Sequence, residues 1–141
     1  MEIDPALADT AAFCAAYDVA LEDSANCIIV ASRDDPPTYA ACLVLATTKL
    51  DVNKRVRKLL GVRKLSFATA DQTRELTGME IGGVTPFGLP PDLPLLIDER
   101  VRERERVVVG GGSRALKVVV PPATLAALPN ATYVEELAVE A

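Results

Sequence analysis

The stretch Gly78–Asp98, "GMEIGGVTPFGLPPDLPLLID", decides how the chain is read. Between Gly82 and Pro94 it holds three glycines and four prolines in thirteen residues. Glycine permits positive φ and close backbone approach, while proline fixes φ and removes an N–H donor. The segment is therefore stiff and bare of side chains. It is either an irregular connection or a preorganised wall whose N–H groups, around Gly82 and Gly83, face a ligand. The apolar run after it, "LPLLID" (93–98), is strand-like. A second glycine cluster, Gly110–Gly112, opens "GGGSRALK". A phosphate-binding P-loop would need its Lys-Ser/Thr pair to open a helix, and a dinucleotide fingerprint also needs a helix to follow. Here a strand follows, "ALKVVVP" (115–121), so both are excluded and a hairpin turn is expected.

Outward from this stretch, "TADQ" (69–72) fits a capping box opening a helix that Gly78 closes. "KLSFA" (64–68) reads as a short strand. "LDVNKRVRKLLG" reads as a helix with Val52, Val56, Leu59 and Leu60 on one apolar stripe, Asp51 as cap and Gly61 as stop. "NCIIVASR" (26–33) and "TYAACLVLA" (38–46) flank the turn "DDPP" as a hairpin. Residues 5–17 form a predicted helix, with Asp4 at the N-cap and Pro5 at the first helical position. Downstream, "ERVRERERVVV" reads as a charged strand ending at Gly110, "PATLAAL" as a short helix, and "ATYVEELA" as the closing segment. The prediction is a mixed α+β fold: a mixed sheet or β-barrel of about six to seven strands surrounded by helices. At 141 residues, one domain spanning 1–141 is expected.

Half the residues are apolar and only 4% aromatic, so the core must be aliphatic. No apolar run reaches membrane-spanning length and the first residues are acidic, which predicts a cytoplasmic protein with no membrane partner. The three cysteines lack CxxC spacing, against a disulfide framework or a zinc site. The chain has no histidine, which removes the commonest general base and the Ser-His-Asp triad. Chemistry is left to carboxylates, lysine, hydroxyls, thiols, backbone groups or the substrate itself, and no metal or cofactor is expected. Cys27, with no base to ionise it, reads as inert. The net charge is −5, but it is unevenly spread: residues 49–64 carry seven bases against Asp51 alone. Lys54, Arg55 and Lys58 fall off the apolar stripe, as a solvated face or as a docking site for phosphates.

The order of these motifs resembles the YbaK/EbsC family of aminoacyl-tRNA deacylases, related to the editing domain of bacterial prolyl-tRNA synthetases. The matching elements are Leu50–Asp51, Thr77–Gly78, Gly82–Gly88, Leu93–Asp98, Gly110–Gly112 and Pro121–Leu128. The resemblance covers roughly residues 26–138. It implies hydrolysis of the ester joining a wrong, small amino acid to the 3′ end of a tRNA, often that for proline. It also implies a mixed β-barrel fold. Gly82 and Pro86 fall on the family's GxxxP element, which shapes the amino-acid pocket. Gly82 and Gly83 would donate to the oxyanion, Pro86, Phe87, Gly88, Asp98, Gly111 and Gly112 would contact substrate, and Lys54, Arg55 and Lys58 would meet the acceptor stem. Members with this chemistry usually carry a lysine where this chain has Asn26, and an amide offers only neutral hydrogen bonds there. The N-terminal helix, with Phe13 and Tyr17, resembles a subgroup feature. The partners implied are a mischarged tRNA acceptor end and, in a second reading, a synthetase bound by a module without deacylase activity. Hydrolysis of another small acyl ester or thioester is a third.

Overall fold

The computed structural model describes residues 1–141. Nine strands and four short α-helices form a mixed fold. The strands are β1 (Ala25–Ser32), β2 (Tyr39–Leu45), β3 (Thr48–Leu50), β4 (Leu65–Phe67), β5 (Leu95–Asp98), β6 (Val107–Gly110), β7 (Lys117–Val120), β8 (Ala131–Val134) and β9 (Ala138–Glu140). The helices are α1 (Thr10–Tyr17), α2 (Arg57–Leu60), α3 (Ala70–Thr77) and α4 (Pro122–Ala126). No helix is long and apolar enough to cross a membrane.

The central sheet runs β4-β1-β2-β5-β8. β1 is antiparallel to both β2 and β4, whereas β5 is parallel to both β2 and β8. β3–β9 and β6–β7 form separate antiparallel pairs, so the expected barrel is not closed. Side-chain alternation divides the core between the sheet's two faces. Leu43, Leu95 and Ile97 meet Val107, Val109 and Leu125 on one side. Val30, Cys42 and Val44 meet Val56 and Leu137 on the other. A third cluster, around Phe13, Cys14 and Ile3, packs the N-terminal segment against Val108 of β6.

Local chemistry explains the element ends. Thr69 and Gln72 make both bonds of the capping box, and Gly78 ends α3 at φ 72°. The 5–17 helix is broken at Ala8: Asp4 caps a single turn of Pro5–Leu7, and α1 starts only at Thr10. The basic helix opens with a π turn, Val52–Val56, in which Val56 N–H donates to Asp51 O. This wider turn shifts the phase of α2. Val52 and Val56 are buried as expected and Leu60 packs on the core, but Leu59 is turned out, 43% exposed. Residues 99–106 are not a strand. Asp98 Oδ1 accepts from Arg100 N–H, which starts a 3-10 turn over Glu99–Glu103, and β6 begins only at Val107.

Of the glycines in the Gly78–Asp98 stretch, Gly83 serves close backbone contact. A Cβ on Gly83 would lie 2.6 Å from the Ser113 carbonyl carbon and 2.8 Å from Arg114 N. Gly112 N–H donates to Gly83 O at 2.9 Å, tying the loop to the β6–β7 turn. Both partners are backbone, so neither can rotate away. Gly83→Ala should therefore cost about 1–3 kcal/mol, read as a lowered urea midpoint with the slope unchanged. An unchanged midpoint would show that the two backbones separate freely.

Candidate active site

The outer edge of β1 has neighbours at its two ends and none between. β4 pairs with Val30–Ser32, and Ala68 N–H donates to Ile29 O at 2.9 Å. At the other end a lone parallel bridge joins Ser24 to Val108. Between them, Asn26–Ile28 pairs only with β2. Ala41, opposite Ile29, sends its N–H away to Pro94 O, so Ile29 faces β4. Two residues earlier on the same ladder, the N–H and C=O of Cys27 point the same way, into the gap.

A cleft of about 240 Å³ occupies this gap. Asn26 and Cys27 form its floor, Ile81 and Gly82 one wall, Gly110 and Lys117 another, and Ala8–Thr10 its rim. Arg114 holds the rim to the wall. Its guanidinium donates to Ile81 O at 3.0 Å and Pro5 O at 3.3 Å, and reaches Asp9 Oδ1 at 3.4 Å. Thr10 Oγ1 donates to Asn26 Oδ1 at 2.5 Å. That bond fixes the amide, and Asn26 Nδ2, bonded to nothing in the chain, is left as a donor toward the cleft. The Gly82 N–H is likewise unbonded within the chain, at φ 93°.

Lys117 is the residue that sequence reasoning missed. It is 7% exposed on β7, opposite Gly110, which has no side chain to cover it. Its Nζ donates to Ala8 O at 3.0 Å and lies 5.2 Å from the Phe13 ring centre. It forms none of the chain's ion pairs. Burial pushes its pKa down; Arg114 pushes the same way, against the opposing pull of Cys14 and Asp9. The one sequence signal was a lone charge inside the run "KVVV", and its direction depends on pairing that the run does not reveal.

The cleft gathers Gly82 and Asn26 and leaves the other expected site residues elsewhere. Gly83 is behind the wall, and its N–H, expected as an oxyanion donor, is taken by Glu80 O at 2.9 Å. Pro86 is buried, Phe87 packs on the main core, and Gly88 makes a positive-φ turn, all outside the lining. Gly111 and Gly112 form the β6–β7 turn. Asp98, 1% exposed, spends its carboxylate on Arg100 N–H and Ala138 N–H. Lys54, Arg55 and Lys58 border a different surface together with Asp51, Glu136 and Glu140. That surface adjoins the core on the opposite face of the sheet, beside Val52 and Val56.

No group of three or more His, Cys, Asp or Glu side chains converges to hold a metal ion. The thiols are not nucleophiles in waiting. Burial pushes Cys27 up to about 12, and it also raises Cys42 and Cys14. What the cleft offers is a set of donors, two backbone N–H groups, an amide and an ammonium, with one carboxylate, Asp9, at its rim 3.4 Å from Arg114. This is a site for an electron-rich oxygen, in a mixed α+β domain.

Comparison with known proteins agrees with that class. The family model described as "Aminoacyl-tRNA editing domain" matches residues 4–128, and the chain belongs to this family. Among curated relatives, it is 23% identical over 82 residues to "Putative Cys-tRNA(Pro)/Cys-tRNA(Cys) deacylase EbsC" of Enterococcus faecalis, covering 58% of this chain and 50% of that one. It is 35% identical over 77 residues to the uncharacterized protein YwhH of Bacillus subtilis, covering 55% and 48%. The chain thus spans about half the length of the curated relatives it matches. A solved structure described as a "putative trans-editing enzyme for prolyl tRNA synthetase" superposes with a TM-score of 0.84 at 25% identity, over 100% of this chain and 85% of that one.

Folding raises the thiol pKa values. The stability this contributes is full below the unfolded value near 8.5 and is lost as pH rises toward the folded values. For Cys27 that window runs up to about 12. The urea midpoint should fall between about pH 8 and about pH 10. At about pH 8, iodoacetamide labelling of Cys27 in the folded protein should run on the order of a thousandfold slower than that of free cysteine, followed by peptide mass spectrometry. Labelling within tenfold of the free rate would identify an activated thiol.

Proposed function

We propose that the chain is an aminoacyl-tRNA deacylase that hydrolyses the ester of a small, mischarged amino acid on tRNA. The observation that carries this reading is that Gly82, Asn26, Cys27 and Lys117, which bring backbone N–H, amide and ammonium donors, line one cleft of about 240 Å³. An aminoacyl ester is already reactive. It needs a water placed against its carbonyl carbon and donors for the oxygen on which charge develops. With the carbonyl oxygen among these groups, water adds to the carbonyl carbon. The tetrahedral intermediate then expels the ribose 3′ oxygen, which leaves with a proton. The one carboxylate of the cleft, Asp9, sits at the rim paired with Arg114 at 3.4 Å, and the substrate's α-amine and neighbouring ribose hydroxyl are suited to position the water and carry that proton.

In this reading Lys117 supplies from β7 the positive charge that the family resemblance would place at Asn26. A buried ammonium acts through low-dielectric surroundings and is worth more to an oxyanion than a solvated one. The cleft volume favours a small acyl group, a selection by size of the editing kind. The names of the relatives point to cysteine and to tRNA for proline as the first substrates to test, with alanine and serine beside them.

Purified protein should deacylate at least one of Ala-, Cys- or Ser-tRNA(Pro) above the blank and spare Pro-tRNA(Pro). Hydrolysis at the blank rate across that panel would sink the proposal. Lys117→Met should lower kcat by about a hundredfold with little change in KM. Its thermal midpoint should be unchanged or raised, because a buried charge is removed without loss of volume. Asn26→Ala should lower kcat by about tenfold or more. Wild-type turnover in Lys117→Met would remove the ammonium from the mechanism.

A further inference from the structure

The basic run that the sequence presents as one patch is divided by the fold. Lys54, Arg55 and Lys58 sit among the carboxylates of Asp51, Glu136 and Glu140. Arg57, Arg63 and Lys64 turn the other way and join Arg33, from the end of β1, around a groove of about 430 Å³. No acidic residue lines this groove, and none of its four cations takes part in an ion pair. Arg33, Arg63 and Lys64 are exposed, and Arg57 is half-buried. Arg57 is also held in place: its Nε donates to Asn53 O at 2.8 Å and its Nη1 reaches Val62 O at 3.5 Å. On a chain of net charge −5, four unpaired cations in one groove mark where a polyanion can approach.

The groove is connected to the candidate active site along β4, the edge strand of the central sheet. Arg33 N–H donates to Lys64 O at the groove end, and Ala68 N–H donates to Ile29 O at the other. These pairs are four residues apart on an extended strand, about 13 Å. At the far end Phe67, 59% exposed, borders an apolar cavity of about 260 Å³. This cavity shares Cys27, Ile28, Ile81 and Val84 with the active-site cleft. Ile81, 55% exposed, borders both. An exposed aromatic ring between a cationic groove and a reaction cleft has the layout of a single-strand track, with phosphates on the cations and a base stacked on the ring.

We infer that the single-stranded 3′ end of the RNA substrate lies along the β4 edge, its phosphates held by Arg33, Arg57, Arg63 and Lys64 and one of its bases stacked on Phe67. The inference rests on the deacylase reading for the end that enters the cleft, and it replaces Lys54, Arg55 and Lys58 as the principal phosphate contacts. The acidic rim of that other surface repels the ligand its lysines would attract.

Binding of an uncharged RNA hairpin with a single-stranded 3′ tail, followed by fluorescence anisotropy, tests this without any acyl group. Arg63→Glu/Lys64→Glu should weaken binding by about tenfold or more and make the salt dependence shallower by about 1–1.5 in log–log slope. Phe67→Ala should weaken binding about fivefold or more, with no change in that slope. Arg106→Glu, an exposed charge reversal outside both basic surfaces, matches the single variant Arg63→Glu in net charge and should lose far less than it. A larger loss from Lys54→Glu/Lys58→Glu than from Arg63→Glu/Lys64→Glu would overturn the inference. So would equal losses from Arg106→Glu and Arg63→Glu, or no binding by the unmodified protein. Failure of the unmodified protein to hydrolyse any aminoacyl-tRNA, with the binding outcomes as expected, would count against the deacylase reading alone.

Discussion

The interrupted outer edge of β1 is the constraint on which the site depends. β4 and β6 each take one end of that edge, and neither pairs with Asn26–Ile28. Main-chain groups left without a ladder partner must find water, a side chain or a ligand. The fold leaves them facing a cleft instead of covering them with a further strand. Everything else at the site borders that gap: the Gly82 wall, the Gly110–Lys117 pair of β6 and β7, and the N-terminal rim.

The wall and the rim are held by different kinds of contact. Gly83 and Gly110 let the loop and the β6–β7 turn meet backbone to backbone, which leaves no room for adjustment. The rim is held by polar contacts from Arg114 to Pro5 and Asp9, and by Phe13 beneath Lys117. On the proposed function, a rigid wall beside a polar-tethered rim suits a site that must keep its donors fixed while a bulky RNA end enters. The two charged surfaces follow the same logic. The groove free of carboxylates lies at the far end of the β4 edge from the cleft, whereas the helix face carrying Lys54 and Lys58 is partly neutralised.

Much of this was legible in the sequence where one residue's chemistry fixes its own neighbourhood. The Thr69–Gln72 capping box, the caps at Asp4 and Asp51, the stops at Gly61 and Gly78 and the β1–β2 hairpin are local decisions. The errors lie where distant segments decide. Alternating charges in 99–106 suggest a strand until Asp98 caps a turn and Arg104 bonds Asp23 at 2.8 Å. Leu59 fits the stripe until a π turn shifts its phase. Thr48–Leu50 shows no strand pattern of its own and becomes β3 by pairing with β9. Gly83 suggests a free donor until Glu80 takes its N–H. Lys117 becomes part of the site only because Gly110 lies opposite and Ala8 lies above it. Motif order was sufficient to indicate the family, and three-dimensional pairing was needed to locate the cleft.

The central claim is that the acylated end binds in the β1 gap between Gly82 and Lys117. Its most direct test is an amide and side-chain NMR titration with a non-hydrolysable aminoacyl-adenosine analogue. The largest shifts should fall on the backbone amides of Cys27 and Gly82 and on the Asn26 side-chain amide, with the Lys117 ammonium perturbed alongside them. Shifts centred on Phe87, Gly88 and Gly112, with residues 25–28 silent, would contradict it.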